Sequence, residues 1–145
     1  MAVVCTLSNH FKYQVMAGNI DFDSNVFKAI LMKDTFAFDE DSDAVYTDVS
    51  GEEIGNGFGY TSRGVTLLSG ELTEDDANDK GVMTWGNNPT WIANGGSIGP
   101  AGAAIIFDET SSDDTVVGCI DFGEDFTATD GTSIQISGEI AVKLA

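Results

Sequence analysis

The sequence predicts a mainly β protein, an antiparallel β-sandwich or barrel with one short N-terminal helix. Glycine is frequent and proline scarce, with 17 and 2 among 145 residues, which is typical of short strands joined by many tight turns. Apolar residues alternate along 133–144, ending in Ile140, Val142 and Leu144, and this period of two indicates strands with one buried face. The length suits a single domain over 1–145.

One helix is expected, over 9–17. Leu7, Phe11 and Val15 are spaced four residues apart, so they share one helical face. Ser8 or Asn9 is placed to cap the first turn. The apolar residues 2–7, which come before it, are expected to form a short strand or a buried arm.

The rest of the chain is expected to form strands joined by loops and turns. Residues 34–44 are an acidic loop, and 46–49 is a short β-prone stretch. Gly138 predicts a bulge or bend within one long strand over 133–144. The other strands are expected at 26–32, 65–72, 81–85, 90–98, 102–107 and 115–122.

Charge is distributed unevenly along the chain. The formal net charge is −18. Residues 1–33 carry +1, whereas 34–142 carry −20, with two cations against 22 acidic residues. Such acidity repels phosphate backbones and argues against a nucleic-acid partner. The near-neutral N-terminal segment is therefore the better docking surface, although the acidity is equally consistent with selection for solubility or a salty habitat.

The cysteines and the hydropathy pattern limit the cellular setting. Cys5 and Cys119 both lie in apolar contexts and form no C-x-x-C pair, which predicts two buried free thiols in preference to a disulfide or a zinc site. The chain opens without the pattern of a secretory signal, and no apolar run reaches membrane-spanning length. We expect synthesis in a cytoplasm and no membrane partner.

No motif predicts a catalytic, cofactor-binding or metal-binding residue. The glycine cluster 55–59 lacks the lysine of a phosphate loop. Asp39, Asp41 and Asp43 have the spacing of a calcium loop, but Ala44 and Ser50 stand where an EF-hand needs glycine and glutamate. The single histidine, His10, has no nucleophile motif near it in the sequence. We therefore expect no enzyme and no cofactor.

Two tryptophans offer a different kind of site. Trp85 and Trp91 flank an amide-rich turn, where exposed rings could stack on a sugar. Aromatic residues at strand ends more often belong to a core or an oligomer contact, and that interpretation is preferred.

Several segments, in order, resemble a family of small β-rich structural proteins of tailed bacteriophage particles. They are NHFKYQVMAGNIDF, VFKAILM, VSGEEIGNGFGYTSRGVTL, MTW, AAIIFD, CIDFG and IQISGEIAVKL. Only their ordered series is specific, and Ser62-Arg63-Gly64 departs from a glycine pair at that place in the family. The resemblance implies a particle component with a β-rich fold and no catalytic residues.

These observations lead to a hypothesis about function. We expect a capsid decoration (cement) protein on the head surface of a virion, bound to the major capsid protein of the same particle, with a homotrimer expected from icosahedral symmetry. Contact is expected through Ala2, Val3, Val4 and Leu7, by adding a strand to a neighbour's sheet; equally, residues 2–7 complete this protein's own sheet. The alternative function is a tail, adaptor or fibre component that contacts host glycans through Trp85 and Trp91.

Overall fold

The structure is a computed structural model that describes residues 3–145. It contains eleven strands, two α-helices and one 3₁₀-helix. In chain order the elements are β1 (Val3–Val4), β2 (Thr6–Leu7), α1 (Asn9–Met16), β3 (Phe27–Lys33), α2 (Tyr46–Val49), the 3₁₀-helix (Ser50–Glu52), β4 (Val65–Thr66), β5 (Gly70–Asp75), β6 (Lys80–Trp85), β7 (Thr90–Ile92), β8 (Ile98–Asp108), β9 (Val116–Ala128), β10 (Ser133–Gln135) and β11 (Ile140–Leu144).

The strands form three sheets. A five-stranded sheet has the order β2-β9-β8-β3-β4, a four-stranded sheet has the order β1-β11-β6-β5, and β10 pairs with β7. All pairings are antiparallel except β1 with β11. The mainly β, sandwich-like prediction is confirmed, and the sheets formed by residues 3–145 do not close into a barrel.

The main core joins the sheets. Ala29 and Leu31 of β3 and Ile106 of β8 face Trp85, Ile140 and other apolar side chains of the smaller sheets. Burying such side chains is the dominant stabilising term, at about 25 cal/mol per Å² of apolar area.

A second apolar cluster lies on the opposite face of the five-stranded sheet. Ile30 and Met32 of β3 and Ile105 of β8 are fully buried there against Val49 of α2. Phe36 and Phe38, from the acidic loop, pack against this cluster. The loop is therefore a covering layer, which explains why β3 reads as a continuous apolar run.

The predicted helix is confirmed. Asn9–Met16 is helical, and Ser8 Oγ caps it by accepting a hydrogen bond from Phe11 N at 3.0 Å. Gly18 follows in the left-handed region at φ 79°, the conformation that commonly ends a helix.

Four predicted elements differ in the structure. The strand expected over 90–98 ends as β7 at Ile92, and Ile98 begins β8 in a different sheet. Residues 46–49 form one helical turn, because the Asp48 carboxylate accepts hydrogen bonds from Ala44 N and Val45 N. The expected strand over 65–72 is divided between two sheets, as β4 and the start of β5. Likewise 133–144 forms β10 and β11 in different sheets, with Gly138 between them at φ 94°.

Candidate functional site

Both tryptophans lie in the core. Trp85 and Trp91 are each 2% exposed. Trp85 packs against Phe27 with ring centroids 5.1 Å apart, and Trp91 stacks near Tyr60 at 6.4 Å. Neither ring offers a face to a sugar, so surface contact through them is wrong and the core interpretation is confirmed.

The two cysteines are free and buried. Cys5 belongs to the main core, whereas Cys119 belongs to the cluster on the opposite face of the five-stranded sheet. The pairing of Thr6 with Cys119 places them near one another, but the sheet lies between the two thiols. Burial raises the pKa of each thiol to about 12, and thiols that stay protonated are poor nucleophiles.

A buried carboxylate organises the most polar part of the interior. Glu53 is 6% exposed. One of its oxygens accepts a hydrogen bond from Tyr46 Oη, and the other accepts from Tyr60 Oη at 2.6 Å and Arg63 N at 2.9 Å. Tyr60 Oη in turn accepts from Leu31 N at 3.1 Å. Burial, and then the bond to Glu53, raise the pKa of Tyr46 to about 12 and raise the pKa of Tyr60 as well.

Arg63 forms ion pairs and an aromatic contact next to this carboxylate. Its guanidinium lies 4.6 Å from the centroid of the Tyr46 ring and forms ion pairs with Glu109 and Asp114 at 3.4 and 3.2 Å. Lys28 Nζ contacts the same Glu109 at 3.2 Å. Cations and acids that are distant in sequence therefore neutralise one another, and the charge division along the chain is not a division between two surfaces.

The His10 side chain links α1 to the loop that joins β8 to β9. Its Nε2 lies 2.8 Å from Asp113 Oδ2, and Thr115 Oγ1 donates to the other oxygen of Asp113. Burial raises the pKa of Asp113, but the hydrogen bonds from Thr115 and His10 outweigh it and hold this pKa below its ordinary value.

The acidic loop uses its carboxylates on its own backbone. Asp43 accepts from Asp39 N at 2.8 Å, and Asp39 accepts from Asp41 N at 2.9 Å. The hydrogen bond from Asp41 N, followed by one from the Ser42 side chain, lowers the pKa of Asp39. Within residues 3–145, no group of three or more acidic, histidine or cysteine side chains is arranged to hold a metal ion.

The N-terminal residues form strands of this protein's own sheets. Val3 and Val4 pair with Ile140 and Ala141, and Leu7 pairs with Gly118. The own-sheet alternative is therefore correct for Val3 to Leu7, and β1 and β2 each lie at the edge of a sheet. Val4 remains 50% exposed, Val3 and Leu7 are partly buried, and Ala2 lies outside the described residues.

A groove opens between β9 and β10, which we call the β9–β10 groove. The two strands are consecutive and joined by the turn 129–132, yet β10 pairs with β7 while β9 pairs with β8 and β2. The space between them has a volume of about 530 Å³. Its apolar lining consists of Val3, Ile120, Phe122, Phe126, Ile134 and Ile136.

A bulge in β9 forms one wall of this groove. Ala103 pairs with Asp121 and Ala101 with Phe126, so β9 advances five residues while β8 advances two. The extra residues bring the rings of Phe122 and Phe126 together, with centroids 5.9 Å apart. The other side of the bulge is acidic, because Asp121, Glu124 and Asp125 line a neighbouring groove that also contains Asp34 and Glu40.

Comparisons with known proteins identify no relative. No family model, no curated protein and no solved structure matches the chain. Neither α1 nor α2 has the length and apolar character needed to cross a lipid bilayer, and this holds for all the described residues.

Proposed function

We propose that this protein is a structural component of a tailed-phage particle, a decoration protein that stabilises the head surface by binding the major capsid protein. The observation that carries the proposal is an uncharged, partly exposed strand edge, β1, beside the apolar β9–β10 groove, on a protein of net charge −18. The ordered resemblance of the sequence to virion proteins supports the same function.

Docking is proposed at the outer edge of β1. Val3 N and Cys5 N donate to Glu139 O and Ala141 O of the neighbouring segment, so by alternation the backbone groups of Val4 point away from β11. Val4 carries no charge that must be desolvated, whereas acidic side chains lose favourable hydration on burial. Every 100 Å² or so of apolar contact contributes roughly 2.5 kcal/mol, and repetition over a shell multiplies this effect.

The interior supports a binding role over a catalytic one. The buried carboxylate of Glu53 has both oxygens engaged by Tyr46, Tyr60 and Arg63 inside the protein. A catalytic acid or base needs an accessible proton position next to substrate. Glu53 is instead arranged to hold the 3₁₀-helix against β3.

Copy number tests the proposed location. On the order of hundreds of copies per particle are expected for a head-surface protein, whereas a tail, adaptor or fibre component follows the low symmetry of the tail, with about three to a few dozen copies. Quantitative mass spectrometry of purified particles measures this number. A count in the lower range would replace the head assignment with the tail alternative.

Binding to empty heads tests the docking edge. Deletion of 2–7 would remove β1 and β2 and disturb the fold, so a surface change is the sharper experiment. Val4→Asp is expected to weaken head binding about tenfold or more. Leu72→Asp, at a residue 53% exposed on the distant strand β5, serves as the matched control. Equal binding of both variants to heads would exclude the β1 edge as the docking site. Analytical sedimentation of the isolated protein tests the expected homotrimer.

A further inference from the structure

The β9–β10 groove has the features of a site for an extended polypeptide segment. We propose that it binds one strand of a partner protein, an apolar segment flanked by lysine or arginine. The identity of that partner as the major capsid protein rests on the proposed function, whereas the binding chemistry rests on the groove alone.

The first argument is the free backbone edge of β10. Ala93 N donates to Thr132 O and Ile136 N donates to Pro89 O, on either side of the pair Ile134–Trp91. In an antiparallel ladder every second residue pair exchanges hydrogen bonds. The N–H and C=O groups of Ser133 and Gln135 therefore point away from β7, and both residues line the groove.

The second argument is the side-chain lining. Ile120, Ile134 and Ile136 form a buried floor, while Phe126 is 43% exposed at the wall. An added strand with alternating apolar residues would place one face on these side chains and hydrogen-bond to β10, as in recognition by strand addition. The edge that lines the groove comprises residues 133–137, so a segment of about five residues between its basic flanks matches its length.

The third argument is charge. Asp121 is the one charged residue that lines the groove, and Glu124 and Asp125 lie on the adjoining bulge; no lysine or arginine lines this groove or the acidic groove beside it, both formed by described residues. A second copy would bring the same acidic bulge and a further net charge of −18. A segment with basic flanks is instead attracted to this position.

Three short capped peptides provide the probe. The first is Lys-Val-Thr-Val-Thr-Val-Lys, the second replaces both lysines with glutamate, and the third replaces the central valine with proline. We expect the lysine peptide to bind the full chain, and the glutamate and proline peptides to bind at least about tenfold more weakly, because they lose charge complementarity and a main-chain donor. Fluorescence anisotropy with labelled peptides measures all three affinities.

Two variants locate the binding. Phe126→Ser is expected to weaken binding of the lysine peptide about tenfold, and the matched control Leu72→Ser is expected to leave it unchanged. Should Phe126→Ser fail to fold, amide hydrogen exchange on the wild-type chain replaces it. The lysine peptide should then slow exchange at Ser133 and Gln135 and leave Leu72 unaffected.

Several results would overturn the proposal. One is equal affinity of the protein for the lysine and glutamate peptides, and another is no binding of the lysine peptide at about 1 mM. A third is that Phe126→Ser and Leu72→Ser weaken binding of the lysine peptide equally. Self-association that Phe126→Ser abolishes would make a second copy the occupant instead. If heads bind wild type and Phe126→Ser equally, the assignment of the major capsid protein as the partner in the groove fails while the decoration function stands. If the peptides bind but heads do not, the decoration function fails and the groove remains a strand-binding site.

Discussion

Arg63 is the single arginine of this chain, and its side chain and backbone make several contacts. Arg63 forms ion pairs with Glu109 and Asp114, stacks on Tyr46, and donates its backbone N–H to Glu53. Exposed ion pairs contribute little on their own. Hydrogen bonds to a buried charge contribute more, because an unpartnered group in the interior keeps its full desolvation penalty.

Replacement of the Glu53 carboxylate tests how much its hydrogen bonds stabilise the protein. Glu53→Gln places an amide where three donors converge, and we expect it to lower the free energy of unfolding by about 2 kcal/mol or more. Urea denaturation measures the change. Glu71→Gln, on the exposed face of β5, is the control and should change stability by less than about 0.5 kcal/mol. Similar small effects for both would show that the Glu53 cluster contributes little.

The raised pKa values predict loss of stability at alkaline pH. A tyrosine or thiol whose pKa is higher in the folded state stabilises fully below its unfolded pKa, and this contribution is lost as pH rises through the folded value. Tyr46, Cys5 and Cys119 have folded values of about 12, so stability should fall from about pH 9 upward. Urea midpoints measured across this range should fall less steeply in Tyr46→Phe than in the control Tyr13→Phe, an exposed position. Identical slopes would contradict the assignment.

At the level of elements, close approach of strands depends on particular glycines. Gly64 has φ 68°, and a Cβ there would lie 1.9 Å from Ala29 O of β3. No side chain fits unless β4 moves away from β3. A Cβ at Gly59 would likewise lie 2.0 Å from Ile92 O. This close approach explains part of the glycine cluster at 55–59 without a ligand.

Alanine at Gly64 should therefore disturb the β3–β4 pairing. We expect Gly64→Ala to destabilise the protein by at least about 2 kcal/mol, because it adds both a clash and a strained backbone. Gly86→Ala, where a Cβ meets nothing within 4 Å, is the control and should remain near wild type. Thermal unfolding compares them, and a Gly64→Ala melting temperature equal to the control would refute the close approach.

At the scale of the whole molecule, like-charge repulsion opposes folding. The three lysine and arginine ion pairs of the described residues involve Lys28 and Arg63, whereas the chain carries 24 acidic residues. Most carboxylates are therefore surrounded by others of the same sign, and repulsion of this kind destabilises a compact state. Salt screens it over about 10 Å at 0.1 M.

Stability should consequently increase with salt. Between low ionic strength and about 0.5 M sodium chloride we expect the melting temperature to rise by several degrees, because screening removes more repulsion than attraction. Changing exposed Glu71 and Glu74 of β5 together to lysine should reduce this dependence, whereas changing both to glutamine should reduce it less. A melting temperature that falls with salt would show that ion pairs outweigh the repulsion.

The sequence by itself determined the local features of this protein. The mainly β class, the helix after Ser8 and the buried thiols follow from periodicity, capping and apolar neighbours, which act over a few residues. The same alternation predicts the inward face of Ile134, Ile136, Ile140 and Val142, whereas Leu144 at its end is only partly buried. The tertiary structure alone decided which strands pair. β10 and β11 share one alternating pattern but join different sheets, and Asp48 converts a β-prone stretch into a helical turn. The β9–β10 groove exists because β10 pairs with β7. This pairing joins residues that are distant in sequence, so the local pattern does not predict it.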